Sequence, residues 1–209
     1  MSFTIVETKA VLQTCAAALS DSKEELERID RLTGDGDLGI SMQKVGAALS
    51  TVTDSYAGDN IGQLLSRCAM AVNSAAPSTM GTLLCAALMQ LGKSFAGKQS
   101  LEIADIAGIP EICASAIQSR GRACEGDRTV LDALLPMSRA FAAELSAGGG
   151  LESALAAGSA AAEAGAERTK DLVPRVGRAK WMPENAAGVP DGGAVLCCML
   201  LRALTGKAS

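Results

Sequence analysis

The chain has 209 residues, 48% of them apolar but only 2% aromatic, so it can bury one full core and must fill it with Ala, Leu, Ile, Val and Met. That mixture argues against β architectures, which draw on aromatic and β-branched residues, and favours close-packed helices. A net charge of −4 without a basic block argues against nucleic acid, and no apolar run reaches the roughly 18 to 20 residues of a spanning helix. The N-terminus lacks the basic-then-apolar pattern of a signal peptide, so the expected setting is cytoplasmic, with neither nucleic acid nor membrane as partner.

The first helical run covers about residues 4–20. Ser22 and Glu25 then have capping-box spacing, which predicts a short second helix toward Leu32. After a glycine-rich loop, Met42, Val45, Leu49 and Val52 mark one face of a helix reaching about Tyr56. Ile61, Leu64, Leu65, Cys68 and Val72 mark the next, and two further runs lie near 81–95 and 100–120. Another begins near Thr129, and an Ala-rich one spans about 151–170. The last follows "PDGG" and carries "AVLCCMLLRAL". No segment alternates as a strand should.

The expected fold is therefore all-α, a single domain over residues 1–209 built as an up-and-down antiparallel bundle of about eight main helices. Three irregular segments, 33–41, 121–129 and 171–193, and the junction "SAAPSTMG" remain. Alternate links in such a bundle share one end, where they can converge into a site held by rigid helices.

Seven cysteines are scattered along the chain without C-x-x-C spacing, and there is no histidine. This pattern argues against zinc and against a disulfide framework. It predicts free thiols packed as small hydrophobes in a reducing compartment.

The stretch "TGDGDLGISM" places Gly34, Gly36 and Gly39 at G-x-G-x-x-G spacing. A dinucleotide fold needs a strand before these glycines and alternating strands around them. Here a helix precedes them, so the match is accidental. Asp35 and Asp37 would also repel a bare pyrophosphate unless a cation lay between. Asp30, near the end of the preceding helix, and Asp35 and Asp37, in a tight turn around Gly36, offer three hard anionic oxygens of the kind Mg²⁺ takes with water and phosphate. An EF-hand is excluded, because its third acidic position falls at Gly39 and no Gly follows at the sixth. Gly39 opens a helix whose unpaired N–H groups can receive phosphate oxygens. The alternative reading of Asp35 and Asp37 is as ordinary turn and N-cap residues. The loop alone leaves both open.

The segments "LERIDRLTGDGDLGISM", "SRGRACEGDRTVLDALLPM" and "GRAKWMPENAAGVPDGGA", in this order and separation, resemble the ADP-binding L subunit of dihydroxyacetone kinase. The likeness covers essentially the whole chain. It consists of three aspartates, then G-D-[KR]-T with an Asp nearby, then G-R-A and a late D-x-G-A. The resemblance implies a barrel of eight antiparallel helices with the nucleotide among loops at one end. It further implies that Asp30, Asp35 and Asp37 hold two Mg²⁺ ions against the phosphates of ADP or ATP. By the same likeness Leu38, Gly39, Ile40, Ser41 and Met42 form a phosphate-contacting helix start. Thr79, Met80 and Gly81 would lie at the terminal phosphates, and Gly121 and Val130 in the nucleotide pocket. Arg178 would contact the nucleotide, and Asp191, Gly192 and Gly193 would close the site.

Leu38 replaces a residue that is often His in the family, and Met80 stands where a phosphate-binding Ser is usual. Pro77 and Ser78 occupy a Gly-Gly pair, and Gly192 replaces a common Pro. These departures bear on substrate range and on the shape of the phosphate turn. Asp127 and Asp132 read as helix-start caps around Thr129. Trp181 reads either as part of a flap or as a packed surface aromatic.

Phosphoryl transfer needs charge neutralisation and in-line positioning more than a protein nucleophile, and the chain offers no evident general base. The resemblance accordingly implies a phosphoryl-donor subunit that works with a separate K-type subunit holding a small ketose. Recharging of bound ADP by an M-type carrier of the phosphotransferase system is the expected version. The alternatives are an ATP-exchanging kinase subunit for a related sugar and a non-catalytic nucleotide-binding regulator.

Overall fold

The structure, a computed structural model, describes residues 3–206. The helices among them are α1 (Ile5–Asp21), α2 (Lys23–Thr33), α3 (Leu38–Ser55), α4 (Ile61–Ala75) and α5 (Thr79–Ser94), then α6 (Ile103–Gly121), α7 (Leu131–Ser146) and α8 (Leu151–Arg168), and finally the one-turn α9 (Pro183–Ala186) and α10 (Gly192–Leu204). Set apart from α9 and the short α2, eight helices of 13 to 19 residues form the body.

Their packing closes a ring. Each of α3 through α8 lies against its neighbour in the chain, α8 lies against α10, and α10 returns to α1, which packs on α3. The all-α up-and-down barrel is thus the architecture of this chain. The α1–α3 pair is antiparallel, as two hydrogen bonds show: Lys9 Nζ donates to the Tyr56 carbonyl, and Gln13 Nε2 to Asp54 Oδ1.

Apolar spacing explains which faces turn inward. Leu12, Leu19, Leu26, Met42, Val45, Leu49, Leu64 and Leu196 are buried in one part of the core. Leu131, Ala133, Met137, Phe141, Ala154, Ala162 and Leu201 form the other. The Ala-rich sequence of α8 permits an unusually close approach to α7. A Cβ at Gly165 would lie 2.1 Å from the Asp132 carbonyl oxygen, so any side chain there would push the two helices apart.

Two local expectations differ from the structure. Ser22 does not form a capping box. Its backbone is helical (φ −75°, ψ −4°) and its hydroxyl donates back to the Leu19 carbonyl at 2.8 Å, a local bond that competes with capping. The boxes that do form join Thr4 to Glu7 and Glu102 to Asp105. The second difference is a two-residue antiparallel ladder, β1 (Phe3–Thr4) with β2 (Ser100–Leu101). It ties the start of α1 to the α5–α6 link and is too short to leave an alternating pattern.

Among the described residues no cysteine is paired; Cys68, Cys197 and Cys198 are buried, whereas Cys124 is exposed. Burial pushes the Cys15 and Cys68 thiols up to about 11, which leaves them protonated and inert at neutral pH. No described helix is long and apolar enough to cross a membrane.

Candidate functional site

The α2–α3 loop is built around its carboxylates. Gly34 ends α2, its N–H donating to the Asp30 carbonyl at 2.6 Å. A Cβ at this position would fall 2.3 Å from Asp30 Oδ1, so only glycine leaves that carboxylate in place. Gly36 then turns the chain at φ +76°, a region open to glycine at little cost.

Asp37 is the N-cap residue of α3 but makes no side-chain capping bond. The Leu38 N–H donates instead to Asp30 Oδ2, at 3.1 Å. Capping therefore consumes one oxygen of Asp30 and leaves the Asp37 carboxylate free. One oxygen from each of Asp30, Asp35 and Asp37 lies within 4.8 Å of the others, with Asp30 half-buried and the other two exposed. Three like charges at such range repel unless a cation lies among them. The donor set is all-oxygen, anionic and open to water, which fits Mg²⁺. Among the described residues the one basic partner of this trio is Arg178, ion-paired with Asp35.

The trio stands at the edge of a cleft of about 210 Å³. Four helices begin on this cleft, contributing Leu38 from α3, Thr79 and Met80 from α5, Leu131 from α7, and Gly192 and Gly193 from α10. In an up-and-down barrel alternate members of the ring point the same way, so the starts of α3, α5, α7 and α10 share one end and the positive ends of four helix dipoles converge there. Two of these starts are well capped. Ser78 Oγ accepts from the Gly81 N–H at 3.2 Å, and Asp191 Oδ1 from the Ala194 N–H at 2.9 Å. The "PSTM" turn thus still presents a helix N-terminus despite lacking paired glycines. Gly121, Val130 and Arg178 also line the cleft, as do the apolar Leu83, Ile117 and Val176.

Five of the sequence-predicted positions are not brought to the cleft. Gly39 packs against the Lys23 carbonyl of α2, and Gly81 against the Ala76 carbonyl. Ile40 is exposed, Ser41 is buried, and Met42 is fully buried in the core. The cause is the helical period: a run of consecutive residues on α3 turns through every direction, and only its first residue, Leu38, faces the site.

A residue that the sequence reading did not assign organises the walls. Arg128, in "GDRT", is buried with a left-handed backbone (φ +63°). Its guanidinium donates to the carbonyls of Thr169 (3.2 Å), Ala186 (3.2 Å) and Val189 (2.8 Å). Burial draws its pKa down, against the pull of Asp191. Burial also pushes the Asp191 carboxyl up to about 6; the Ala194 N–H and Arg128 oppose that shift, and Asp132 adds to it.

Asp132 has the expected role at the start of α7, where it faces Thr129, whereas Asp127 caps no helix and braces the turn before it. Asp132 accepts from the N–H groups of Gly126 (2.6 Å) and Thr129 (2.7 Å), and Asp127 from that of Cys124 (2.7 Å). Trp181 is not packed: it is 76% exposed, with the Lys180 ammonium 4.7 Å from its ring centre.

Residues 32–206 match the DAK2 domain. The chain is 33% identical over 207 residues to an L-erythrulose kinase of Pectobacterium atrosepticum, covering 95% of this chain and 35% of that protein. It is 28% identical over 198 residues to the ADP-binding subunit DhaL of the PEP-dependent dihydroxyacetone kinase of Escherichia coli, covering 94% of each. The dihydroxyacetone kinase of C. freundii shares the fold, with a TM-score of 0.76 at 23% identity, over 96% of this chain and 34% of that one. The same enzyme in complex with AMP-PNP and Mg²⁺ gives 0.72. The chain thus spans about a third of the erythrulose kinase, at 35%, but nearly all of the E. coli subunit, at 94%.

Proposed function

This chain belongs to the DAK2-domain family, and from that premise we propose that it is the nucleotide-holding, phosphoryl-donating part of a kinase for a small ketose. The observation that carries the reading is the placement of three convergent carboxylates beside four helix N-termini on one cleft. Asp30, Asp35 and Asp37 would hold magnesium. When bound, the metal neutralises the charge of the nucleotide phosphates.

The chain's own groups do the rest. Helix-terminal N–H groups at Thr79–Met80 and Gly192–Gly193 receive phosphate oxygens in a geometry that is fixed before the ligand arrives. Arg178 adds a positive charge at the mouth. Leu83, Ile117, Val130 and Val176 give the base an apolar wall. Asp132 and Arg128 hold the loops that carry these groups, so that their cost of ordering is met by the fold.

The chain has no histidine, and the cleft carboxylates are taken up by the metal (Asp30, Asp35, Asp37) or by the cap of α10 (Asp191), so the acceptor sugar and its proton acceptor come from outside. The partner is a K-type subunit presenting dihydroxyacetone, erythrulose or a related ketose at the open edge beside Asp35 and Asp37. Recharging of the bound ADP by an M-type phosphocarrier is the version favoured by the match to a PEP-dependent subunit along nearly its full length, 94%. Exchange with free ATP is the rival. Mixing the protein with a K-type subunit and either a phosphorylated carrier or ATP, and following ketose phosphate by coupled assay, tests the proposal. No ketose phosphate from either donor would contradict it.

A further inference from the structure

Among the described residues Arg178 is the only basic side chain ion-paired with the carboxylate trio, and it reaches Asp35 from the opposite wall. Its segment is tethered elsewhere. The Arg175 N–H donates to the Asp127 carbonyl at 3.2 Å, and the Arg175 guanidinium stands 3.8 Å from the Asp127 carboxylate. Gly177, at φ +71°, then redirects the chain toward the trio. The segment therefore crosses the cleft mouth, from the α6–α7 link at Asp127 to the α2–α3 loop at Asp35. The cleft beneath it, at about 210 Å³, is smaller than the roughly 300 Å³ at which small-molecule pockets begin. A nucleotide entering beneath this segment therefore meets the Arg178–Asp35 pair.

Resting on the metal-and-nucleotide reading above, we infer that Arg178 couples the two ligands. It competes with the cation for Asp35 in the empty site, and it turns to the phosphates once a cation takes that carboxylate. Either ligand alone meets an opposed site. A cation displaces a guanidinium that then has no anion, whereas a nucleotide alone brings phosphate charge to three carboxylates while Arg178 stays engaged. Together, each positive group gains a negative partner. The coupling is reciprocal: the factor by which metal strengthens nucleotide binding is the factor by which nucleotide strengthens metal binding. Arg178 thereby selects the metal–nucleotide complex over either component.

Mn²⁺, which takes the same oxygen ligands, reports the competition directly through the paramagnetic resonance of the free ion in nucleotide-free protein. The Arg178 and Asp35 side chains are 60% and 41% exposed, so their pair is worth only a small factor. Arg178→Ala is expected to bind Mn²⁺ alone about two- to fivefold more tightly. By calorimetry with metal present it should bind ADP at least about tenfold more weakly, having lost a charge-assisted bond. Arg178→Lys keeps the charge and should retain the wild-type Mn²⁺ affinity. Unchanged or weaker Mn²⁺ binding in Arg178→Ala would overturn the inference, as would equal gains in the Ala and Lys variants. Asp35→Ala and Asp37→Ala separate the two levels. If they lose Mn²⁺ while Arg178→Ala gains nothing, the coupling is wrong and the metal site stands. If both bind Mn²⁺ undiminished, the site itself is wrong and the coupling falls with it.

Discussion

The guanidinium of Arg128 meets the carbonyl of Val189 at 2.8 Å, 61 residues further along the chain. That contact, with the bonds to Thr169 and Ala186, fastens the α7 entrance to the loop that precedes α10. Replacing Arg128 with Met would strand three carbonyls and remove the counter-charge of Asp191. The expected loss is about 3 kcal/mol, read as a lower urea midpoint with helical circular dichroism retained in the folded baseline. A loss below about 0.5 kcal/mol, the range of ordinary surface substitutions, would contradict the clamp.

Asp191 gives stability a pH dependence of known sign. Its carboxyl titrates at about 6 in the folded chain against an ordinary 3.8, so the folded state binds the proton more tightly than the unfolded chain. The contribution is fully present below about pH 4 and is lost as pH rises through about 6. The difference amounts to on the order of 2 to 3 kcal/mol. Asp191→Asn keeps the cap, since Asn serves well there, but removes the titration. Urea midpoints measured from pH 4 to 8 should show a fall between 4 and 6 attributable to this group, absent in the variant. Identical profiles for the two proteins would count against a raised Asp191.

Gly34→Ala should injure the site more than the fold. The new Cβ would sit 2.3 Å from Asp30 Oδ1, forcing that carboxylate away from Asp35 and Asp37. The expected result is at least about a tenfold loss of Mn²⁺ affinity, the size of one lost charge-assisted contact, with a melting temperature near wild type. Wild-type Mn²⁺ binding would show that Asp30 is not held in place by the glycine.

Ligand should stabilise the protein by tying distant loops together. ADP with Mg²⁺ at about 100 times its dissociation constant should add roughly 2.7 kcal/mol, and chelator should remove it. Differential scanning calorimetry with and without EDTA reads both. A protein carrying ADP whose melting is indifferent to EDTA would leave the metals without a role.

The barrel was legible in the sequence where one face repeats, as with Met42, Val45 and Leu49, because burial of that face is what makes the helix. Met42 was expected both to mark the core and to contact phosphate; its full burial bears on the first and directs its side chain away from the cleft. The carboxylate trio was legible because all three lie within eight residues of one another. Arg128 was not, since its partners lie 41 to 61 residues away and nothing local distinguishes a buried guanidinium from a solvated one. The β1–β2 ladder escaped for a similar reason: its two strands are two residues each and meet only because the barrel closes.

On the function proposed above, Asp30, Asp35 and Asp37 hold metal for a nucleotide. Titration calorimetry of ADP with Mg²⁺ into the wild type, Asp35→Ala and Asp37→Ala tests it most directly. Metal-dependent ADP binding by the wild type is expected, and both substitutions should abolish it with far-ultraviolet circular dichroism unchanged, because both side chains are exposed. Undiminished ADP–Mg²⁺ binding in both variants would contradict it.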